Sequence, residues 1–104
     1  MRIPVLIAGL AVLLLPSPAS AAPQTHVVTI DKMKFGPVPV GVRPGDAIVW
    51  VNRDMFRHTA TARNGSFNVD LPPNARAKTI IRATGTIPFY CKYHPGMTGT
   101  LRVK

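Results

Sequence analysis

The 104-residue sequence contains a single cysteine, four acidic residues and no glutamate. With only Cys91 available, an intramolecular disulfide is excluded. A chain of this length forms one small domain, which buries somewhat more than about 60% of the surface of its unfolded chain and is marginally stable without a further tie. Because a disulfide cannot supply this additional stabilising cross-link, a bound metal ion is a candidate for that role.

Acidic residues are scarce: Asp31, Asp46, Asp54 and Asp70 stand against 13 lysines and arginines, and the formal net charge is +9. A charge of this size bears on partners and encounter rates, and not on the fold. The basic residues form no continuous run and match no nucleic-acid recognition motif, so we expect no binding to nucleic acid. An acidic protein partner or an anionic membrane surface fits this charge better.

The first 21 residues are predicted to be a secretory signal peptide. Arg2 precedes an apolar run at 3–15, and Ala19-Ser20-Ala21 has the small residues of a cleavage site. The apolar run of about 13 residues is short for a bilayer, so an uncleaved membrane anchor is the lesser alternative. We therefore predict a mature chain, 22–104, that a Sec-type signal exports to the periplasm or a similar compartment and that has no stable membrane insertion after cleavage.

Short strands follow one another through the predicted mature chain, and no stretch there has the period of a helix. Alternating and β-branched segments between turn residues predict seven strands: 25–31, 35–42, 47–52, 57–63, 75–82, 86–91 and 98–104. We find no internal repeat, linker or low-complexity segment. The pattern predicts a single all-β domain, a small antiparallel Greek-key β-sandwich of about seven strands.

The residues with the clearest chemistry are Cys91, His94 and Met97. They have C-x-x-H-x-x-M spacing, and the proline and glycine between the last two prevent a helix. A thiolate, an imidazole and a thioether suit a soft metal ion. With His58 as a second imidazole, the set becomes the two-histidine, one-cysteine site with a weak axial methionine that is typical of blue-copper electron-transfer proteins.

Other interpretations of these residues remain open. Free cysteine and methionine are ordinary core residues, and C-x-x-H spacing also occurs by chance and in zinc sites. His26 lies far from the motif and is expected to be a structural or surface residue. Met33 and Met55 are expected to be core or loop residues, because Met97 already fills the axial position.

The predicted mature chain resembles the cupredoxins, the small blue-copper family. The resemblance is carried by Gly45-Asp46-x-Ile48-x-Trp50-x-Asn52-x-Asp54 in the first half and by Phe89-Tyr90-Cys91-x-x-His94-Pro95-x-Met97-x-Gly99-x-Leu101 in the second. The short gap between the last two ligand positions is similar to that of amicyanin. The resemblance implies a β-sandwich that holds one copper ion on His58, Cys91, His94 and Met97 and shuttles single electrons between larger proteins.

One position departs from the family pattern. Members such as plastocyanin and amicyanin commonly have asparagine after the first histidine ligand, whereas this chain has Thr59. A backbone N–H at Thr59 can still reach the sulfur of Cys91, but the side-chain contact between the two ligand loops is expected to differ. We expect unchanged ligands and an altered reduction potential, because hydrogen bonds around a ligand tune the metal.

We therefore predict that the protein is a soluble, monomeric one-electron carrier and not an enzyme. Copper enzymes need further histidines for a second copper centre, and only His26 is left over. The alternative is a copper carrier or chaperone that delivers the ion itself. Redox partners are expected to present an acidic docking surface to the site's rim, where Arg57 and Lys92 supply positive charge beside Tyr93 and Pro95.

Overall fold

The structure is a computed structural model that describes residues 2–4, 9, 11 and 22–104. The predicted signal peptide, 1–21, lies outside the described residues apart from five positions, and it stays a prediction. In the described part of the chain, no helix is long and apolar enough to cross a membrane.

The described residues form eight strands and no helix. They are β1 (Thr25–Asp31), β2 (Lys34–Phe35), β3 (Ala47–Asn52), β4 (His58–Ala62), β5 (Asn68–Leu71), β6 (Arg76–Ile80), β7 (Gly85–Tyr90) and β8 (Thr98–Val103). One sheet has the order β2-β1-β3-β6 and the other the order β5-β4-β7-β8. All pairings between these strands are antiparallel except that of β1 with β3, which is parallel. The predicted all-β sandwich is confirmed.

Two local differences from the predicted strands have physical reasons. The predicted strand 35–42 is regular only at its start, in β2, because prolines at 37 and 39 have no N–H to donate to a ladder. Val42 returns to the sheet through one isolated bridge to Val103. Strand β5 was not predicted, since its exposed Asn68 and Asp70 resemble loop residues, and its pairing with β4 is a tertiary contact.

The core between the sheets is aromatic near the middle of the molecule. The ring of Phe89 has its centroid 4.8 Å from that of Phe35 and 5.3 Å from that of Trp50, both edge-on. Gly99 faces Phe89 on the neighbouring strand, and a Cβ atom there would clash with the ring. Glycine at this position therefore leaves room for the ring of Phe89, which is buried in the core together with Cys91.

The four predicted ligands lie at one end of the sandwich because of where the strands begin and end. His58 is the first residue of β4, and Cys91 directly follows the last residue of β7. Met97 directly precedes β8, so the segment from Cys91 to Met97 is the loop between β7 and β8. Since β4 pairs with β7, this loop lies beside His58.

Candidate metal centre

Three predicted ligands converge on one point. The ligand atoms of His58, Cys91 and His94 all lie within 4.8 Å of one another. The Sγ atom of Cys91 is 3.7 Å from Nδ1 of His58 and 3.7 Å from Nδ1 of His94. Ligand atoms that share one ion at metal–ligand distances of about 2 Å are separated by about 3–4 Å. The three residues are thus already spaced for a single ion.

Met97 is the fourth predicted ligand, and its side chain is only 6% exposed. It lines the same surface depression as His94 and Met33. The loop holds this arrangement with two backbone hydrogen bonds: Cys91 N–H donates to the Met97 carbonyl at 3.1 Å, and Met97 N–H donates to the His94 carbonyl at 2.8 Å. The thiol, the imidazole and the thioether therefore belong to one closed turn.

His58 is completely buried and is oriented from behind by a carboxylate. Its Nε2 atom is 2.8 Å from Oδ2 of Asp54. An ionised carboxylate only accepts hydrogen bonds, so Nε2 carries the proton and Nδ1 presents its lone pair toward Cys91. Carboxylate–histidine pairs of this kind commonly support metal-binding histidines.

Asp54 is an ionised partner. Its burial alone would raise its pKa, but hydrogen bonds from the N–H groups of Met33 and Lys32 and from His58 outweigh the burial, so the pKa lies below its usual value. The carboxylate therefore keeps its negative charge at neutral pH. It can hold the proton of His58 on Nε2.

Asn52 organises the loop that leads from β3 to His58. Its Nδ2 group donates to the carbonyls of Phe56 at 2.8 Å and Leu71 at 2.9 Å, and its Oδ1 atom accepts from the N–H of Asp54 at 2.9 Å. The Asn52 side chain is buried, with 1% exposure of the residue. A single amide thus links β3, the loop and the end of β5.

Thr59 contacts both the thiol of Cys91 and the loop between β7 and β8, called here the Cys91 loop. Its N–H donates to Sγ of Cys91 at 3.3 Å, which confirms the expected backbone contact. Its Oγ1 atom accepts from the N–H of Lys92 at 2.9 Å. The hydroxyl therefore ties β4 to the Cys91 loop, so threonine does maintain a side-chain link at this position.

The Thr59 hydroxyl also begins a directed chain of hydrogen bonds. Thr59 and Thr61 have their Oγ1 atoms 2.9 Å apart, and the Thr61 hydroxyl donates to Oδ1 of Asn68 at 2.9 Å. Because a hydroxyl has one proton, Thr59 must donate to Thr61. This series of hydrogen bonds connects Thr59, beside the Cys91 thiol, to β5, the strand that was not predicted from the sequence.

The other residues considered from the sequence are His26, Met33 and Met55, of which Met33 lines the same depression as His94 and Met97. His26 is at the opposite end of the sandwich, where its Nε2 atom is 2.9 Å from Oδ2 of Asp46. Met55 is 80% exposed on the loop before β4, and Met33 lies in the turn between β1 and β2. Sequence reasoning gave no role to Asn52 or Asp54, although a carboxylate four residues before a ligand histidine is a signal that could have been used.

The two histidines differ in access to solvent. His58 is buried, whereas His94 is partly exposed at the surface depression. Phe56 stands edge-on to His94 at a ring-centroid distance of 6.4 Å, and Phe56 and Tyr93 are about half exposed. His94 is therefore the candidate ligand through which the site meets the surface, amid apolar side chains.

Comparisons with known proteins agree with this geometry. A family model described as a cupredoxin-like domain matches residues 4–103. The plastocyanin of Nostoc punctiforme is 31% identical over 108 residues, which cover 82% of this chain and 78% of the plastocyanin. The amicyanin of Paracoccus versutus is 27% identical over 96 residues, covering 86% and 73% respectively. The structure of a Cu(I) form of an amicyanin variant matches with a TM-score of 0.64 and 27% identity over 83% of this chain and 88% of that one.

The chain belongs to the cupredoxin family. Its site offers a thiolate, two imidazoles and a thioether, and this soft mixture fits copper, the metal in the Cu(I) form of the similar amicyanin variant. Copper is therefore the cofactor of this site. The sequence alone left two alternatives open, a zinc site and a purely structural cysteine. Neither alternative accounts for the match to the cupredoxin family.

Proposed function

We propose that this chain is an exported one-electron carrier in which His58, Cys91, His94 and Met97 bind one copper ion that alternates between Cu(I) and Cu(II). The observation that carries the proposal is that the ligand atoms of His58, Cys91 and His94 lie within 4.8 Å of one another. Ligands that the surrounding fold holds in position, as Asp54 holds His58, move little when the metal changes oxidation state. An electron carrier needs this property, since little structural change then accompanies transfer.

The four side chains have distinct roles in this proposal. Copper binding deprotonates Cys91, and the covalent copper–thiolate bond gives the electron a path into the protein. His58 and His94 bind as neutral imidazoles through Nδ1. Met97 is the weak axial ligand that helps to set the reduction potential.

The surface charge supports partners with an acidic docking surface. The 12 lysine and arginine residues of 22–104 are all exposed, whereas Asp46 is buried and Asp54 partly buried in internal contacts. Arg57 pairs with Asp70 at 2.9 Å, so Lys92 is the less compensated charge at the rim. If this charge steers a partner, electron-transfer rates fall steeply as ionic strength rises. A rate that does not change with salt would exclude steering.

Export rests on the sequence of residues 1–21. We propose that cleavage after Ala21 releases residues 22–104 as a soluble monomer in the periplasm or a similar compartment. Mass spectrometry of the protein from an expressing bacterium, after separation of periplasm and cytoplasm, tests both points. An N-terminus at Ala22 is expected, and a membrane-bound protein with residues 1–21 attached would contradict the proposal.

The alternative is a carrier that delivers copper itself. Such a carrier favours an exposed, methionine-rich site, whereas here His58 is completely buried and Met97 is 6% exposed. An enzyme with a second copper centre would need His26, but that residue is engaged with Asp46 at the far end of the sandwich. Enclosed ligands therefore favour the electron carrier.

The deciding experiment is a visible absorption spectrum of residues 22–104 loaded with Cu(II). An intense thiolate-to-copper band is expected, bleached by a mild reductant and restored by reoxidation without loss of copper. The Cys91→Ala variant is the control and should lack the band. A pale wild-type protein would refute the site, and release of copper on reduction would favour delivery of the ion.

A further inference from the structure

The turn between β1 and β2 has an unusual backbone. Lys32 and Met33 are its two central residues, and both have positive φ, at 50° and 63°. Two-residue hairpins commonly use such turns, but asparagine and glycine normally occupy them, because other side chains are unfavourable in the left-handed region. Two unfavourable residues in succession persist only where the surroundings hold them.

Asp54 is the group that holds this turn. Its Oδ1 atom accepts from the N–H of Lys32 at 2.9 Å, and its Oδ2 atom accepts from the N–H of Met33 at 2.9 Å. Successive N–H groups that point to one side make a concave site for an anion. The turn is therefore a cradle for the Asp54 carboxylate.

The same carboxylate contacts His58, so three donors share its two oxygens. Oδ2 accepts from both the Met33 N–H and the His58 Nε2–H, while Oδ1 accepts from Lys32. An asparagine has one accepting oxygen and would turn its own donors toward N–H groups. The geometry thus requires a carboxylate and fixes its rotation, which in turn fixes the imidazole ring.

We propose that the Lys32–Met33 turn and Asp54 form a positioning unit that holds His58 with its Nδ1 atom toward the copper position. By orienting this imidazole from outside the Cys91 loop, the unit sets the balance between Cu(II) and Cu(I). The unit lies on the β1–β2 turn and the β3–β4 loop, and none of its members is a predicted ligand. This inference rests on the proposed role of His58 as a ligand.

The first test compares Asp54→Asn with two controls. Asp70→Asn removes a carboxylate from an exposed ion pair next to the site, and Asp46→Asn breaks the corresponding contacts of the distant His26. We expect Asp54→Asn to lower the Cu(II) affinity about tenfold, measured by competition with a chelator. If Cu(I) affinity is unchanged, the reduction potential rises by about 59 mV. The controls should change Cu(II) affinity less than twofold.

A second readout does not depend on electron transfer. In the diamagnetic Cu(I) protein, the Nε2 proton of His58 should be observable by nitrogen-edited NMR. We expect at least tenfold faster exchange of this proton with water in Asp54→Asn. An unchanged exchange rate and an unchanged Cu(II) affinity would overturn the proposal. An Asp54→Asn protein that does not fold would also overturn it, because Asp54 would then be required for the fold.

The turn itself is tested by a matched pair at Lys32. Lys32→Asn and Lys32→Val both remove one exposed charge, but asparagine tolerates a left-handed backbone and a β-branched residue does not. We expect Lys32→Asn to keep the wild-type copper properties and Lys32→Val to shift them in the same direction as Asp54→Asn. Equal copper properties in the two variants would show that the turn does not position His58. A wild-type protein that binds no copper would instead refute the ligand role of His58.

Discussion

The two ends of the sandwich contain the same arrangement of one aspartate, one histidine and two backbone N–H groups. At one end, Asp46 accepts from the N–H groups of Gln24 and Arg43 and contacts His26 Nε2. At the other end, Asp54 accepts from two N–H groups and contacts His58 Nε2. The arrangement by itself is therefore a way of joining chain segments.

The difference lies on the other side of each imidazole. Nδ1 of His58 is 3.7 Å from the Cys91 sulfur, whereas His26 is at the start of β1, beyond reach of the thiol. His58 is fully buried, while the His26 side chain is 17% exposed. A histidine oriented by a carboxylate becomes a metal ligand only where the fold brings a second soft donor to its free nitrogen.

Replacing each histidine should separate the two ends most strongly. We expect His58→Ala to abolish the intense thiolate-to-copper band, because the trigonal site loses one of its two imidazoles. His26→Ala should keep the band and only lower thermal stability, since it breaks the contact with Asp46. The visible spectra of the two copper-loaded variants check this, and a lost band in His26→Ala would contradict the comparison.

The carboxylates of Asp46 and Asp54 should make the stability of the fold depend on pH in the acidic range. Hydrogen bonds from the Gln24 N–H, then from His26 and the Arg43 N–H, lower the pKa of Asp46 to about 2 from 3.8. A depressed carboxylate pKa adds stability that is complete above the unfolded value and lost as the pH falls through the folded one. The Tm of the metal-free protein should therefore fall between about pH 4 and pH 2.

Asp46→Asn is the control for this acid effect. The variant should have a lower Tm at neutral pH and a flatter profile between pH 4 and pH 2, because one of the titrating carboxylates is gone. A profile as steep as that of the wild type would assign the acid effect to other groups.

Two threonine hydroxyls, of buried Thr59 and half-buried Thr79, provide a smaller comparison. Thr59 accepts from the Lys92 N–H near the thiol, and Thr79 accepts from Nε1 of Trp50 at 3.0 Å in the other sheet. Thr59→Val and Thr79→Val each leave one donor without its acceptor, which costs about 1–3 kcal/mol of unfolding free energy. Chemical denaturation should show a loss in both, larger in Thr59→Val because that variant also removes the contact with Thr61, while only Thr59→Val should change the visible spectrum. A changed spectrum in Thr79→Val would contradict this assignment.

The smallest effect is expected at the surface. Arg57 and Asp70 form an ion pair at 2.9 Å with both side chains about half exposed. Exposed ion pairs contribute about 0–1 kcal/mol. Asp70→Ala should thus lower the unfolding free energy by less than the threonine substitutions do. This decrease in stability should be smaller in high salt. A larger loss would mean that Asp70 also supports the copper end.

The Cys91 loop could be predicted because its chemistry is contiguous in sequence. Cys91, His94 and Met97 lie within seven residues, and the strand predicted at 86–91 corresponds to β7, which ends directly before Cys91. By contrast, β5 could not be predicted, because its Asn68 and Asp70 are polar and it exists through pairing with β4. The parallel pairing of β1 with β3 is also a contact between distant segments.

The sequence by itself determined the family and the β-sandwich and predicted the donor atoms, because alternation, turn residues and a short ligand motif are local properties. Only the tertiary structure decided how His58 is held. Asp54 precedes His58 by four residues, but the N–H groups that fix its carboxylate come from a turn more than 20 residues earlier. Likewise, Thr59 meets Cys91 across 32 residues of sequence. Hydrogen-bond partners of this kind depend on strand pairing, which no local pattern encodes.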